Sequence, residues 1–528
     1  MPCTRLFRII DQLVIGSPPR QHAESEESHA LEMPERQKAE QSEAGLALDF
    51  DRGTILIRRP DLNPGEPPDT PLQGLDLPGT SYDQRVEKWR APARYYREIV
   101  LTLRNAGVAF KDQVRDYPAS EKELAQRLAQ NRDDNAAEDE LDLSLQIDRQ
   151  PFPYQQEAVD AWWKADGRGI VVLPTGSGKT FVAQLAMIRA HRNTLVVAPT
   201  IDLMQQWYGV LASNFDIEIG LLGGGYYEPK PVTVATYDSA YLHMDRLGNR
   251  YGMVIFDECH HLPGPSYILT AEFLIAPFRL GLTATLERED GAESLLVDAV
   301  GPTVYRQEIK SLAGEYLAEY ETLKIHVRLS KDEERRYVEA RGVYRDFLHA
   351  NNLRLGTPHS WSRFLTLTSR SEDGRRAFLA YREQRQIAQG SEAKIRALDR
   401  LLMSHRGDRV LIFTNDNNTV YRISREFFIP AITHQTKAKE RQHILEGFNG
   451  GEYPFIVTSK VLNEGVDVPA ANVAIVLSGS GSVREHVQRL GRILRRAEGK
   501  HAILYEIIAE NTAEEFVSKR RRRHDAYQ

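Results

Sequence analysis

The chain has 528 residues, 41% of them hydrophobic and 27% charged, too many for one core and enough for two to four domains. No apolar run approaches the ~20 residues a membrane helix needs, and a formal charge of −6, from 68 Lys and Arg against 74 Asp and Glu, gives no bulk attraction to nucleic acid, so such binding must come from a local basic surface. The only two cysteines, Cys3 and Cys259, exclude a disulfide framework and a cysteine-held zinc or iron–sulfur centre, and a reducing, intracellular compartment is expected.

In chain order, the short apolar stretch at the start is broken by Arg5, Arg8 and Asp11 and is not read as a signal peptide. Residues 1–45 are expected to be a disordered extension, because the polar stretch 17–45 cannot bury enough surface to offset chain entropy. A strand over Thr54–Ile57, a Pro- and Gly-rich loop at 60–80 and a helical spacing over 93–105 that stops at Gly107 predict a small α+β module at 46–118. The segment 119–148, crowded with acids from Asp133 to Asp142, reads as a charged linker. Between 149 and 305, short β-branched runs recur at 169–173, 193–198, 231–235, 252–256 and 279–283, separated by helical segments. Strands buried on both faces of a parallel sheet have this look. The pattern returns in 391–528, at 409–413, 431–433, 454–458, 472–477 and 502–508. Between these two α/β domains, 306–390 reads as a connector and a helical insert, with no strand-like run over 331–390.

Three segments carry chemistry. LPTGSGKT (173–180) follows an apolar strand and precedes a helix-like run. Backbone N–H groups at Gly176, Ser177 and Gly178, with Thr175 in the same loop, suit phosphates at the positive end of the following helix. Lys179 would reach the β/γ-phosphates and Thr180 would offer its hydroxyl to Mg²⁺. Leu173 departs from the strict pattern, which has glycine there. VIFDECHH (254–261) delivers Asp257, for Mg²⁺, and Glu258, to polarise the attacking water, at the end of a strand. His260 and His261 are not read as a metal site, since adjacent residues rarely face one ion. QRLGRILRR (488–496), if helical, projects Gln488, Arg492 and Arg495 from one side, where two guanidinium groups would suit a triphosphate.

These segments, with APTIDLMQQW (198–207), ATYDSAY (235–241), GLTAT (281–285), LIFTND (411–416) and VTSKVLNEGVDVPAANVAI (457–475), resemble the ordered motif series of superfamily 2 helicases. PYQQEA (153–158) is similar to the adenine-recognition motif, which implies that Gln155 pairs with adenine while Tyr154 or Phe152 stacks on it. Within that superfamily the chain looks like the archaeal and bacterial XPB family. Arg288-Glu289-Asp290 resembles its fork-proximal RED element, the helical insert its thumb, and DFDRGTILI with WRAPARYYREIV its damage-recognition domain. The resemblance implies two RecA-like parallel-sheet domains in tandem that hydrolyse ATP with Mg²⁺ between them and move 3′–5′ on DNA in repair. Gly465 and Asp467 would couple that site to DNA held near Thr200, Thr236 and Thr458. The DNA expected is a forked or damaged duplex or a single strand. A nuclease partner, a monomeric state and a nucleoid-associated prokaryotic cytoplasm are also implied. Lys519–Arg523 reads as an additional phosphate contact or as the basic end of a solvated helix. Two alternatives remain: a duplex translocase that separates no strands, and a nucleotide-gated DNA-binding module that recruits a nuclease.

Overall fold

Three sheets organise the chain in a computed structural model that describes residues 46–58, 75–85, 88–117, 149–286, 291–355, 358–459, 470–496 and 500–522. The expected extension 1–45, the linker 119–148 apart from its neighbours, and Arg288, Glu289, Asp290, Gly465, Asp467 and Arg523 lie outside the described residues.

The first sheet is the small module. Its strands are β1 (Ala47–Asp51), β2 (Thr54–Arg58), β3 (Ser81–Asp83), β4 (Lys88–Pro92) and β5 (Lys111–Gln113), in the order β3-β4-β2-β1-β5. Helix α1 (Tyr96–Asn105) buries Ile99 and Leu103 beside Leu48, Ile55 and Ile57. The sequence reading found β2 and the helix but not β1, which pairs with β2 across the Arg52-Gly53 turn. Ion pairs bind the module to the next domain, among them Arg168 to Glu98 at 2.7 Å and Arg94 to Glu272 at 3.0 Å.

The second sheet contains β6 (Arg168–Val172), β7 (Thr194–Ala198), β8 (Ile219–Gly223), β9 (Tyr226–Glu228), β10 (Val232–Thr236), β11 (Met253–Asp257), β12 (Phe278–Thr283) and β13 (Thr303–Arg306). Their order is β13-β6-β12-β11-β7-β10-β8-β9, parallel except for the β8–β9 edge. The central strands are apolar on both faces because helices cover both, among them α2 (Pro153–Lys164), α3 (Lys179–Ala190), α4 (Ile201–Asn214) and α5 (Tyr237–Leu247). Trp162 of α2 donates its indole N–H to the Arg279 carbonyl of β12 at 2.9 Å, fixing that helix over the sheet.

The third sheet is wholly parallel, in the order β14-β19-β18-β15-β17-β16. Its strands are β14 (Glu319–Val327), β15 (Val410–Phe413), β16 (Ala431–Ile432), β17 (Phe455–Thr458), β18 (Val473–Val476) and β19 (His501–Ala509). The nine-residue β14 pairs in full with β19, so the second α/β domain gathers a strand from the stretch read as connector. The alternating exposure of this edge strand hides it from a search for continuous apolar runs. The insert then leaves and returns as three helices, α6 (Lys331–Ala350), α7 (Pro358–Thr368) and α8 (Glu372–Gly390). Ser330 and Glu333 form a capping box that starts the first of them.

A buried pair ties this lobe together. Lys394, on α9 (Glu392–Ser404), is fully enclosed and meets Glu514 at 2.5 Å, while also donating to the Leu477 carbonyl. Lys394→Met would leave the Glu514 carboxylate buried without its counter-charge. A loss of about 3–5 kcal/mol is expected in the unfolding transition of this lobe. Denaturant titration of the single variant and of the Lys394→Met/Glu514→Gln double variant checks this; the double variant should recover part of the loss.

Candidate active site

The phosphate-loop segment sits between β6 and α3, at the C-terminal edge of the first α/β sheet. Leu173 tolerates the absence of glycine because its backbone N–H still pairs with the Thr283 carbonyl at 3.0 Å and its side chain is fully buried. Its own carbonyl accepts from the Lys179 ammonium at 3.2 Å. Gly178 caps α3 at a φ of +85°, so backbone geometry demands glycine, and a methyl there would also lie 2.6 Å from the Gln155 amide nitrogen, which would have to move.

The start of α2 is latched to this loop. Tyr154 donates its hydroxyl to the Ser177 carbonyl at 2.5 Å, and the Gln155 amide donates to the same oxygen at 3.0 Å. Gln155 also accepts from the Phe152 N–H at 3.0 Å, so both ends of this fully buried side chain have partners within the protein. Of the two rings proposed to stack on a base, Tyr154 is buried and Phe152 is 37% exposed. Tyr316, missed in the sequence, packs its ring 5.0 Å from Phe152 and 4.9 Å from Tyr154. It belongs to the connector, where no spacing pointed to it.

Asp257 ends β11 and Glu258 follows in the left-handed region, at a φ of +44°. That turn lets the Glu258 N–H donate to one Asp257 oxygen at 3.0 Å while the Trp207 indole donates to the other at 2.8 Å. Trp207 is on α4, so the motif before it and the acidic pair are wired together. Burial, and then the Glu258 charge beside it, push the Asp257 carboxyl up to about 6. His260 Nδ1 lies 3.4 Å from Glu258 Oε2 and 3.1 Å from the Thr283 hydroxyl, which itself donates to the Thr285 carbonyl. This histidine links the acidic pair to the GLTAT segment, a position its sequence context did not disclose.

The second lobe supplies the opposite wall. Helix α11 (Val483–Ile493), which follows α10 (Ala438–Gly450) in that lobe, ends two residues before Arg495. The expected single helical face for Gln488, Arg492 and Arg495 is therefore corrected. Gln488 is buried, Arg492 is in the last turn, and Arg495 reaches the crevice from an extended segment bridged to Leu317. A methyl on Gly176 would lie 3.4 Å from Arg495 Cγ, and one on Gly491 would lie 2.4 Å from Thr175 Cβ. The phosphate loop of one lobe thus rests on the arginine-bearing segment of the other. Thr180 is the second residue of α3, directly after Lys179, and lies at the same C-terminal edge of the sheet as Asp257, through the adjoining strands β6, β12 and β11.

The three threonines expected to meet DNA behave differently. Thr200 and Thr236 cap α4 and α5, accepting from the Leu203 and Ser239 N–H groups at 3.2 Å each, so their hydroxyls are spent on building helix N-termini. Thr458, at the end of β17, is fully buried and does not present its hydroxyl on the surface. An ion pair between Arg441 of α10 and Asp202 in the first turn of α4 joins the two lobes. The basic run at the C-terminal end is split: Arg520 is exposed, whereas Arg521 is buried against Glu506 at 2.9 Å.

Residues 48–114 match the family described as the Xeroderma pigmentosum group B helicase damage recognition domain, 148–288 that described as type III restriction enzyme, res subunit, and 393–497 the helicase conserved C-terminal domain. Among curated proteins the chain is similar to "DNA 3'-5' translocase XPB2" of Sulfurisphaera tokodaii, with 42% identity over 441 residues that span 81% of this chain and 99% of the relative. It is similar to "DNA 3'-5' helicase XPB" of Kineococcus radiotolerans at 33% identity over 71% of this chain, covering 63% of that longer protein. The XPB/SSL2 helicase/translocase subunit of the general transcription and DNA repair factor IIH of Saccharomyces cerevisiae matches at 26% identity over 77% of this chain and 46% of its own length.

Proposed function

Because the chain belongs to the XPB family of superfamily 2 helicases, we propose that it is an ATP-dependent DNA motor of 3′–5′ polarity that acts in DNA repair. The observation that carries this reading is the contact of the phosphate loop, at Thr175 and Gly176, with Gly491 and Arg495 of the other lobe. Chemistry in that crevice is felt by both lobes at once, as a motor requires.

The residues fit a nucleoside triphosphate with its cation: a loop built on left-handed Gly176 and Gly178 opens a helix, and a buried carboxyl and a hydroxyl flank it. Lys179 would exchange its two backbone carbonyl partners for phosphate oxygens. Thr180 and Asp257 would hold Mg²⁺, Asp257 through the lone pairs left after Trp207 and Glu258 are satisfied, and the cation would neutralise phosphate charge. Glu258 would orient the attacking water, with His260 setting its rotamer. Arg492 and Arg495 would answer the charge that develops in the transition state. Phe152 would stack on the base, and Gln155 would report that contact to the phosphate loop through the Ser177 carbonyl.

DNA would run over the N-termini of α4 and α5, whose N–H groups, ordered by Thr200 and Thr236, suit phosphates and carry no sequence information. The Arg441–Asp202 pair supports lobe closure on that side. The test is ATP turnover with single-stranded, forked and bubble DNA; a rate that none of them raises would reject the motor reading. A second reading, translocation on duplex DNA without strand separation, is favoured by the translocase name of the archaeal relative. Displacement of a triplex strand without unwinding of a 3′-tailed duplex would select it.

The same contact supplies a sharp variant. Gly491→Ala should help the helix by up to ~1 kcal/mol in intrinsic preference, yet its methyl collides with Thr175. DNA-stimulated turnover is expected to fall at least ~10-fold, the equivalent of 1.4 kcal/mol on the barrier, with no loss of melting temperature. Among the described residues no helix is long and apolar enough to cross a membrane. A monomer in a prokaryotic cytoplasm with a nuclease partner completes the proposal, and co-purification from the native cell tests that partner.

A further inference from the structure

A cavity of about 510 Å³ opens between the helical insert and the second lobe, and its lining shares no residue with the phosphate loop or the acidic pair. The insert contributes a wall of rings. Tyr344 and Tyr381 have centroids 5.2 Å apart, and Trp361 and Phe364 pack behind them at 5.2 Å from Tyr381 and 5.8 Å from Tyr344 respectively, which fixes their orientation. The remaining lining brings three arginines. Arg385 lies 5.5 Å above the Tyr381 ring and donates to its hydroxyl at 2.6 Å, Arg341 stands in the same relation to Tyr337 at 5.8 and 2.9 Å, and Arg520 approaches from α12 (Glu514–Arg521). The facing wall is the loop 479–481, where a methyl on Gly481 would lie 2.0 Å from the Arg520 guanidinium. The acid in the lining, Glu514, is committed to Lys394 and to the Ala509 N–H at 3.0 Å, so it does not cancel the arginines.

We propose that this cavity takes one unpaired nucleotide of a DNA strand, its base against the Tyr344 and Tyr381 rings and its phosphates on Arg341, Arg385 and Arg520. The proposal rests on the DNA-motor reading and adds a site to it. The volume suits a small ligand. Aromatic faces beside guanidinium groups grip single strands without regard to sequence, which fits a lining whose polar groups, apart from those arginines and Glu514, are a few amides and hydroxyls. The consequence is mechanical. The loop 479–481 connects β18 to α11, the helix whose end meets the phosphate loop, so occupancy would bear on the segment carrying Arg492 and Arg495.

The test uses the full chain. Oligo(dT) containing 4-thiothymidine should crosslink on irradiation to peptides within 337–389, and excess unmodified oligo(dT) should suppress that crosslink. Arg341→Glu/Arg385→Glu changes two side chains that donate to tyrosines of their own helices. This double variant should bind oligo(dT) at least ~10-fold more weakly and lose part of the DNA-stimulated ATP turnover, with the DNA-independent rate unchanged. Crosslinks confined to other peptides, wild-type affinity in the double variant, or a crosslink suppressed by free dTMP and not by oligo(dT) would each overturn the proposal. DNA that neither binds the wild-type chain nor stimulates it would instead reject the motor reading and this site with it.

Discussion

Glu258→Gln should lower DNA-stimulated ATP hydrolysis by ~10²–10⁴-fold, the range for a lost general base, and leave ATP affinity intact. The substitution keeps the size of the side chain. It also keeps the backbone turn at φ +44°, whose N–H holds Asp257 at 3.0 Å, so the proposed cation site keeps its geometry. What is lost is the carboxylate that polarises water. Equilibrium binding of a fluorescent ATP analogue and single-turnover hydrolysis separate the two effects. Full turnover in this variant would remove Glu258 from the chemistry, whereas a wild-type rate that DNA does not raise above the Glu258→Gln background would strengthen the reading of the chain as a nucleotide-gated binding module. His260, 3.4 Å from the same carboxylate, gives an internal control: His260→Ala should reduce the rate by less than Glu258→Gln, because it disturbs position and not charge.

The sequence disclosed features that are local in the chain. The strand–loop–helix around Lys179 and the strand ending at Asp257 each lie within one short stretch of chain, and hydrophobic runs with punctuating glycines are enough to locate them. It did not disclose features made by distant pairing. Strand β14 joins the third sheet through partners at 501–509, and nothing in its alternating pattern says where it goes. Tyr316 reaches the Phe152 ring from beyond the first α/β domain, and Trp207 is a bland helix residue until its indole is seen on Asp257. Thr458 shows the opposite failure. A motif suggested a surface hydroxyl, and sheet burial took it away. Arg495 was found by type and misplaced by geometry, since a helix extrapolated past Leu494 ignores the backbone bridge that ends it.

That bridge is why the second large effect can be measured cleanly. Arg495→Ala should lower kcat by at least ~10-fold and toward the ~10³-fold that a transition-state arginine supplies, with the fold retained. The main chain at this point is held independently of the side chain: Ala318 donates to the Leu494 carbonyl at 2.9 Å and Arg495 pairs with Leu317. Trimming the side chain to Cβ therefore leaves the main chain of the segment beside Gly176, where the Gly491 carbonyl and the Arg495 N–H stay in place, and removes the aliphatic stem with its guanidinium. Arg495→Lys should not rescue the rate, because an ammonium lacks the planar, forked donors that match phosphate oxygens. The pattern of the loss is decisive. A fall in kcat at unchanged KM assigns Arg495 to charge developed during phosphoryl transfer, whereas a rise in KM at unchanged kcat makes it a ground-state binding contact. Unchanged kcat and KM would mean that the contact seen between the lobes is packing, and the crevice would lose the feature that couples it to motion.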